Sequence, residues 1–306
     1  MKTAIFILSN IKRTVQLKTC LYFLFKHYNA VYKHPVIILG TFTKQQQNDI
    51  MDGIREECKN LISFQEISLI TPKNIDTDKL NTCIEQCPTT EWGNLEERNE
   101  EYFWMTDFWN VHAKDYDYVM RLGDDVYIEE PIKNDFFNII DNRANNMLFC
   151  MLENVCAIQS FGMRDFFAAN FPKNEKLDQC VVQTKVADAV TVNKIKSLFK
   201  CVYNKDYPKD DIELHQPVVC SSNFMVLRTS YFTNNDKIIP SINKIKELGY
   251  IHYLKWKTSA IYSLLAMIHN NDKISRCTFN MSFEKVRTGK LVPSKYSQTG
   301  CPTSKS

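Results

Sequence analysis

The sequence predicts an α/β domain with a mixed, mainly parallel central sheet flanked by helices, and three observations carry that expectation. Two short apolar runs rich in β-branched residues, TAIFIL at 3–8 and VIIL at 36–39, read as buried strands. Between them Val15, Leu17, Leu21, Leu24 and Phe25 recur at helical spacing, so 14–28 reads as the crossover helix of a β-α-β unit, the connection that favours a parallel sheet. Further on, Tyr118–Ile128 (YVMRLGDDVYI) is an apolar strand interrupted by two adjacent carboxylates.

The remaining elements follow in chain order. Residues 43–60 read as a second helix with Thr43 as N-cap, and 64–69 as a third strand. Residues 71–100 are polar and rich in turn formers, a long loop with some helix, and 102–112 form an amphipathic aromatic helix. A strand is expected at 147–152, helices with lysine-rich faces over 160–215, and a strand pair or strand and turn in VVCSSNFMVLR after Pro217. Helices at 239–248 and 259–269 complete the domain. No internal repeat interrupts it, so 1–290 reads as a single domain and 291–306, with its Gly, Pro, Ser and Thr, as a loosely ordered tail.

Composition narrows the function classes. With 44% hydrophobic and 12% aromatic residues the chain can build a sizeable core. Its 38 basic and 35 acidic residues leave a formal charge of +3, without the basic excess that nucleic-acid binding needs. Eleven cysteines in a chain of 306 residues read as mostly reduced thiols, and CIEQC at 83–87 lacks the spacing and histidine pair of a zinc site. The apolar run at 3–8 is too short for a signal peptide or a membrane span, so the expectation is a cytoplasmic protein with no membrane span.

The chemistry concentrates at Asp124 and Asp125. Open α/β sheets bind ligands beyond the carboxyl ends of their strands, and a divalent cation that bridges two phosphates needs oxygen ligands there. A plain β-turn through Gly123, Asp124 and Asp125 accounts for the same residues, since Asp and Gly favour turns.

The order of motifs along the chain resembles glycosyltransferase family 15, the fungal α-1,2-mannosyltransferases. AIFILSN, the helix to Tyr28 and Asn29, and HPVIILGTFT follow the family's opening. YFWMTD at 102–107 is similar to its YRxMCR, YVMRLGDDV to YYWRVEPxV, and SSNFMV at 221–226 to WSNFEI. GYIHYLKWKTSAIYSLLA at 249–266 is similar to GGFFYERWGDAPVHSIA and shares Gly249, Tyr253, Trp256 and Ser263. The likeness runs over roughly 3–285. It implies a GT-A fold, Mn²⁺ (or Mg²⁺), a nucleotide-diphosphate sugar donor (GDP-mannose), a glycan or glycoprotein acceptor, and retention of anomeric configuration.

The resemblance assigns roles residue by residue, with departures. The family's metal-binding Glu falls on Gly123, which moves that duty to the catalytic pair: Asp125 for the metal, Asp124 for ribose or metal. Its second metal ligand falls on Glu284. Arg121 matches the family's Arg and, with Asn10 at the end of the first strand, would bind the donor. Tyr253 and Trp256 would stack on acceptor sugars, with His252 beside them. The family's nucleophilic Glu falls on Met225, whose thioether forms no glycosyl ester, so a same-face displacement is expected, in which a diphosphate oxygen takes the acceptor's proton. Two arginines are lost at Phe103 and Asp107, and an Asp and a His at Thr258 and Tyr262. These losses support a second reading, a catalytically inactive relative that binds nucleotides or glycans or serves in assembly.

Overall fold

The computed structural model describes residues 1–86, 95–154, 157–171, 177, 181–185, 189–208, 212–270, 273–285 and 290–293. β1 (Thr3–Leu8) is apolar throughout because both of its faces are covered, and α1 (Thr14–Leu24) carries the chain back to β2 (Val36–Leu39) and β3 (Ile62–Gln65). The polar stretch that follows contains a helix at Thr77–Glu85 and then α2 (Leu95–Met105), which starts earlier than the aromatic pattern alone suggests and is followed by a π-helical turn at Phe108–His112. β4 (Tyr118–Leu122) and β5 (Val126–Ile128) flank the carboxylate pair. β6 (Met147–Phe149), β7 (Leu152–Asn154), β8 (Val181–Lys185), β9 (Glu213–Cys220) and β10 (Phe224–Arg228) follow, then α3 (Thr258–Asn270), β11 (Ile274–Arg276), β12 (Met281–Lys285) and β13 (Lys290–Pro293).

Seven strands form the central sheet in the order β11-β6-β10-β4-β1-β2-β3. β1, β2, β3 and β4 run parallel, as do β6 and β11, while β10 runs antiparallel between β4 and β6. The sheet is therefore mixed and mainly parallel, as the strand-helix-strand opening predicts. Because β2 lies on one side of β1 and β4 on the other, the order reverses at β1, and a crevice opens where β1 and β4 end.

Two strands depart from the sequence reading. The stretch expected to be helical over 160–215 contains β8 and part of β9, which pair antiparallel from Val181–Pro217 to Lys185–Glu213. VVQTK has strand propensity, but lysine-rich flanks mask its short alternation. Past Lys290, β13 pairs with β12 as far as Pro293; the rest of the expected loose tail lies outside the described residues. β8 owes its place to a partner distant in sequence, whereas β13 pairs with the strand just before it.

Alternate residues of the sheet face two apolar clusters: Ala4, Phe6, Val119 and Met225 on the α2 and α3 side, Ile5, Ile7, Met120 and Phe224 on the α1 side. α1 lies against β5, and the Cys20 thiol donates to the Gly123 carbonyl at 3.4 Å, so this helix backs the carboxylate turn. Gly40 closes β2 at φ +153, where a Cβ would come within 2.3 Å of the Ser9 carbonyl oxygen at the exit of β1. No helix among the described residues is long and apolar enough to cross a membrane. Leu21 is fully buried on the sheet-facing side of α1. Leu21→Ala is expected to cost about 2–5 kcal/mol, read as a lowered denaturant midpoint at unchanged slope.

Candidate functional site

The exit of β1 and the exit of β4 meet at one set of charges. Asn10 accepts from the Lys12 amide at 3.0 Å and starts a 3-10 turn that swings Arg13 towards Asp124. At the end of β4 the Val126 amide donates to the Gly123 carbonyl at 3.1 Å, so Gly123–Val126 is a β-turn, and Asp124 and Asp125 are its two central residues. The turn reading holds, and the turn places both carboxylates in the lining of the crevice beside Asn10.

Asp124 is held on every side. Its Oδ2 accepts from Ser9 Oγ at 2.7 Å and Arg13 Nε at 2.7 Å, and its Oδ1 lies 2.5 Å from Arg13 Nη2. This is the two-point fork that fits a guanidinium to a carboxylate. The same Nη2 reaches Asp125 Oδ2 at 3.1 Å, while Oδ1 of Asp125 meets no other described side chain. Burial raises the pKa of both carboxyls above the ordinary aspartate value, and Arg13 only partly offsets it. The sequence assigns Asp124 to the ribose or the metal; with both oxygens committed, it positions the turn, and Asp125 has the free oxygen. Gly123 keeps that oxygen unobstructed, since a Cβ there would sit 3.1 Å from Asp125 Oδ1.

These residues line a cleft of about 510 Å³ together with Arg121 and the carboxylates of α2. The Arg121 guanidinium stacks over the Trp104 ring, 4.3 Å from its centroid, and its buried Nη1 has no hydrogen-bond partner among the described residues. Burial lowers the Arg121 pKa, opposed by Glu101, Tyr262, Glu100 and Glu153. On the α2 wall, Glu97 pairs with Lys255, and Glu101 Oε2 accepts from the Thr258 amide at 2.8 Å, capping α3. Glu100 hydrogen-bonds to no described residue. Burial, then Glu101 and Glu96, raises its pKa to about 7.

Glu284 lies on β12, whose register pairs Phe283 with Val126 and sets Glu284 one step further along the strand on the side of Asp125. Its side chain lies outside the described residues. The expected acceptor residues require correction. His252 and Trp256 are fully buried and Tyr253 nearly so. His252 Nε2 donates to Asn99 Oδ1 at 3.1 Å, Trp256 Nε1 donates to the Phe161 carbonyl at 2.9 Å, and Tyr253 Oη accepts from the Asp76 amide at 2.9 Å. Burial pushes the His252 pKa down to about 4. Rings with no open face give a sugar no platform; these three instead tie their segment to α2, to the start of the 77–85 helix and to Phe161. Ser9, Arg13, Trp104, Glu100, Glu101 and Lys257 are among the cleft residues that the sequence reading leaves out.

The Glu100 environment makes a stability prediction with a definite sign. In the unfolded chain its pKa is near 4.5 and in the fold about 7, so the cost of ionising it is absent below 4.5, grows between the two values and is complete above 7. Glu100→Gln removes that cost. It is expected to stabilise the protein by about 2–3 kcal/mol at pH 8 and to leave it unchanged at pH 4, measured by denaturant titration at each pH.

Comparison of the sequence with protein-family models and with curated proteins finds no match. Solved structures do match. The mannosyltransferase Ktr4p from S. cerevisiae, in complex with GDP, superposes with a TM-score of 0.72 at 15% identity over 92% of this chain and 70% of its own. Core-mannan synthase A from Aspergillus fumigatus, in a Mn/GDP form, gives 0.71 at 14% identity over 92% and 74%. At such identities the likeness shows the fold: this chain has the GT-A architecture in the form found in these two fungal proteins.

Proposed function

We propose that the protein is a glycosyltransferase that moves a hexose, mannose from GDP-mannose, from a nucleotide-diphosphate sugar onto a hydroxyl of a glycan or glycoprotein. The observation that carries the proposal is the carboxylate pair fixed at the β1/β4 crevice beside Asn10, where an open α/β sheet receives its ligand. Arg121, with an unpartnered Nη1 in the same cleft, would meet a phosphate oxygen, and Asn10 the nucleoside. The GDP and Mn/GDP forms of the two structural neighbours support a nucleotide donor and a divalent cation.

The charge of the cleft supports the cation independently. Among its described lining residues, four side chains are cationic and six are acidic, so a diphosphate would enter a site that already repels it. The protein's ligands in this reading are Asp125, held by Arg13 through one oxygen only, and Glu284, which β12 carries next to the turn. Mn²⁺ or Mg²⁺ bound there would neutralise the leaving diphosphate. Met225 is fully buried in β10, which closes a route through a glycosyl ester at that position; retention would then follow from attack on the face the diphosphate leaves. The same buried thioether favours the second reading, a protein that binds the nucleotide without turnover.

Two measurements separate these readings. GDP with Mn²⁺, at about 100 times its Kd, is expected to stabilise the protein by about 2.7 kcal/mol, and the metal-dependent part should vanish with EDTA or in Asp125→Ala. No shift with any nucleotide, with or without metal, removes the proposal. With GDP-mannose and a mannoside acceptor, the product should keep the α configuration. A β-linked product would exclude retention, and binding without turnover across a donor panel would establish the silent protein.

A further inference from the structure

The β10 position that lacks a carboxylate faces a wall that has one to spare. Met225 pairs in register with Arg121 on β4, and its side chain is packed into the sheet with the α2-side cluster. Within the cleft, Asp124 has both oxygens engaged, and Asp125 is the one assigned to the cation. Glu153 accepts from Ser221 Oγ at 3.1 Å and is not among the lining residues.

α2 supplies the remaining carboxylates. Glu97, Glu100, Glu101 and Trp104 share one side of this helix at three- and four-residue spacing, and all four line the cleft. Glu97 is occupied by Lys255 and Glu101 by the start of α3. Glu100 is partly buried, lines the cleft, and stands one helical turn from the Trp104 ring on which Arg121 rests. A cleft carboxylate that is not committed to a neighbouring side chain stays available to a ligand there.

Resting on the glycosyl-transfer reading, we propose that Glu100 is a catalytic residue, the carboxylate that receives the proton of the acceptor hydroxyl. As the acceptor oxygen bonds to C1 of the sugar, its proton passes to the Glu100 carboxylate. The bond from C1 to the diphosphate breaks, and its electron pair stays on the departing nucleoside diphosphate. A diphosphate oxygen neutralised by a divalent cation is a weak base, whereas a carboxyl group that titrates near neutrality is matched to the task.

The test uses the full chain with Mn²⁺, GDP-mannose and a simple mannoside, and compares wild type with Glu100→Gln and Glu100→Ala. Nucleotide binding is read as the melting shift with GDP and Mn²⁺, and transfer as nucleotide release and product. The expected result is GDP binding equal to wild type in both variants, with transfer reduced on the order of 100-fold or more. In wild type kcat/KM should rise with pH through about 7, the rise should be absent in Glu100→Gln, and added formate should restore part of the activity of Glu100→Ala. Transfer by Glu100→Gln within about threefold of wild type, or an unchanged rise with pH, overturns the proposal and leaves the proton to the diphosphate, with glycosyl transfer intact. Wild-type protein that neither binds GDP nor releases nucleotide overturns the transferase reading itself, and this proposal with it.

Discussion

Two adjacent carboxylates inside a fold repel each other and lose their hydration, and the cleft exists because Arg13 makes that arrangement tolerable. Its guanidinium grips both oxygens of Asp124 and one of Asp125, with Ser9 adding a hydroxyl. Dehydration still dominates, as the raised pKa of each carboxyl shows, so the cluster holds tension that the surrounding packing must contain. Containment comes from the fold itself. α1 presses on the turn from behind through Cys20, and Gly40 lets β2 close onto Ser9 with no side chain in the way. Arg13 and Asp124 are 111 positions apart in the chain, so the contact also ties the first β-α unit to the centre of the sheet.

On the other side of the sheet, Arg121 ends β4 in a position that a strand exposes to ligand, yet most of its length is covered. Stacking on Trp104 gives the guanidinium an apolar and weakly negative surface without spending its N–H donors, and one of these remains unbonded. Trp104 belongs to α2, the helix that also carries the four cleft glutamates. One helix therefore sets both the orientation of the main cation and the negative charge facing it. The buried His252, Tyr253 and Trp256 act at one remove: by locking the neighbours of α2 in place they fix that wall.

The readable parts of the sequence were those whose cause is local. β1, α1 and β2 declare themselves by apolar periodicity, and Gly-Asp-Asp between apolar strands declares both a turn and a charge cluster. Arg13 sits in a short basic pair that looks like any solvated surface, and only the sheet order brings it to Asp124. Glu100 lies at the edge of a polar stretch read as loop, where a helix forms because Phe103, Trp104 and Met105 find a buried surface to cover. Tyr253 and Trp256 show the reverse. An aromatic pair in a polar neighbourhood suits a sugar or a core equally well in sequence, and burial decides for the core.

The excess of acid over base in the cleft ties these pieces together. A cleft lined by more carboxylates than cations is stable only with compensation. Arg13 provides part of it at Asp124, and it holds Asp125 through one oxygen only. Glu100 provides another part, since burial and its acidic neighbours let it hold its proton up to about neutrality and so withhold one negative charge. A fold that buried fewer carboxylates would be more stable, but it would lose the cleft in which these acidic side chains converge.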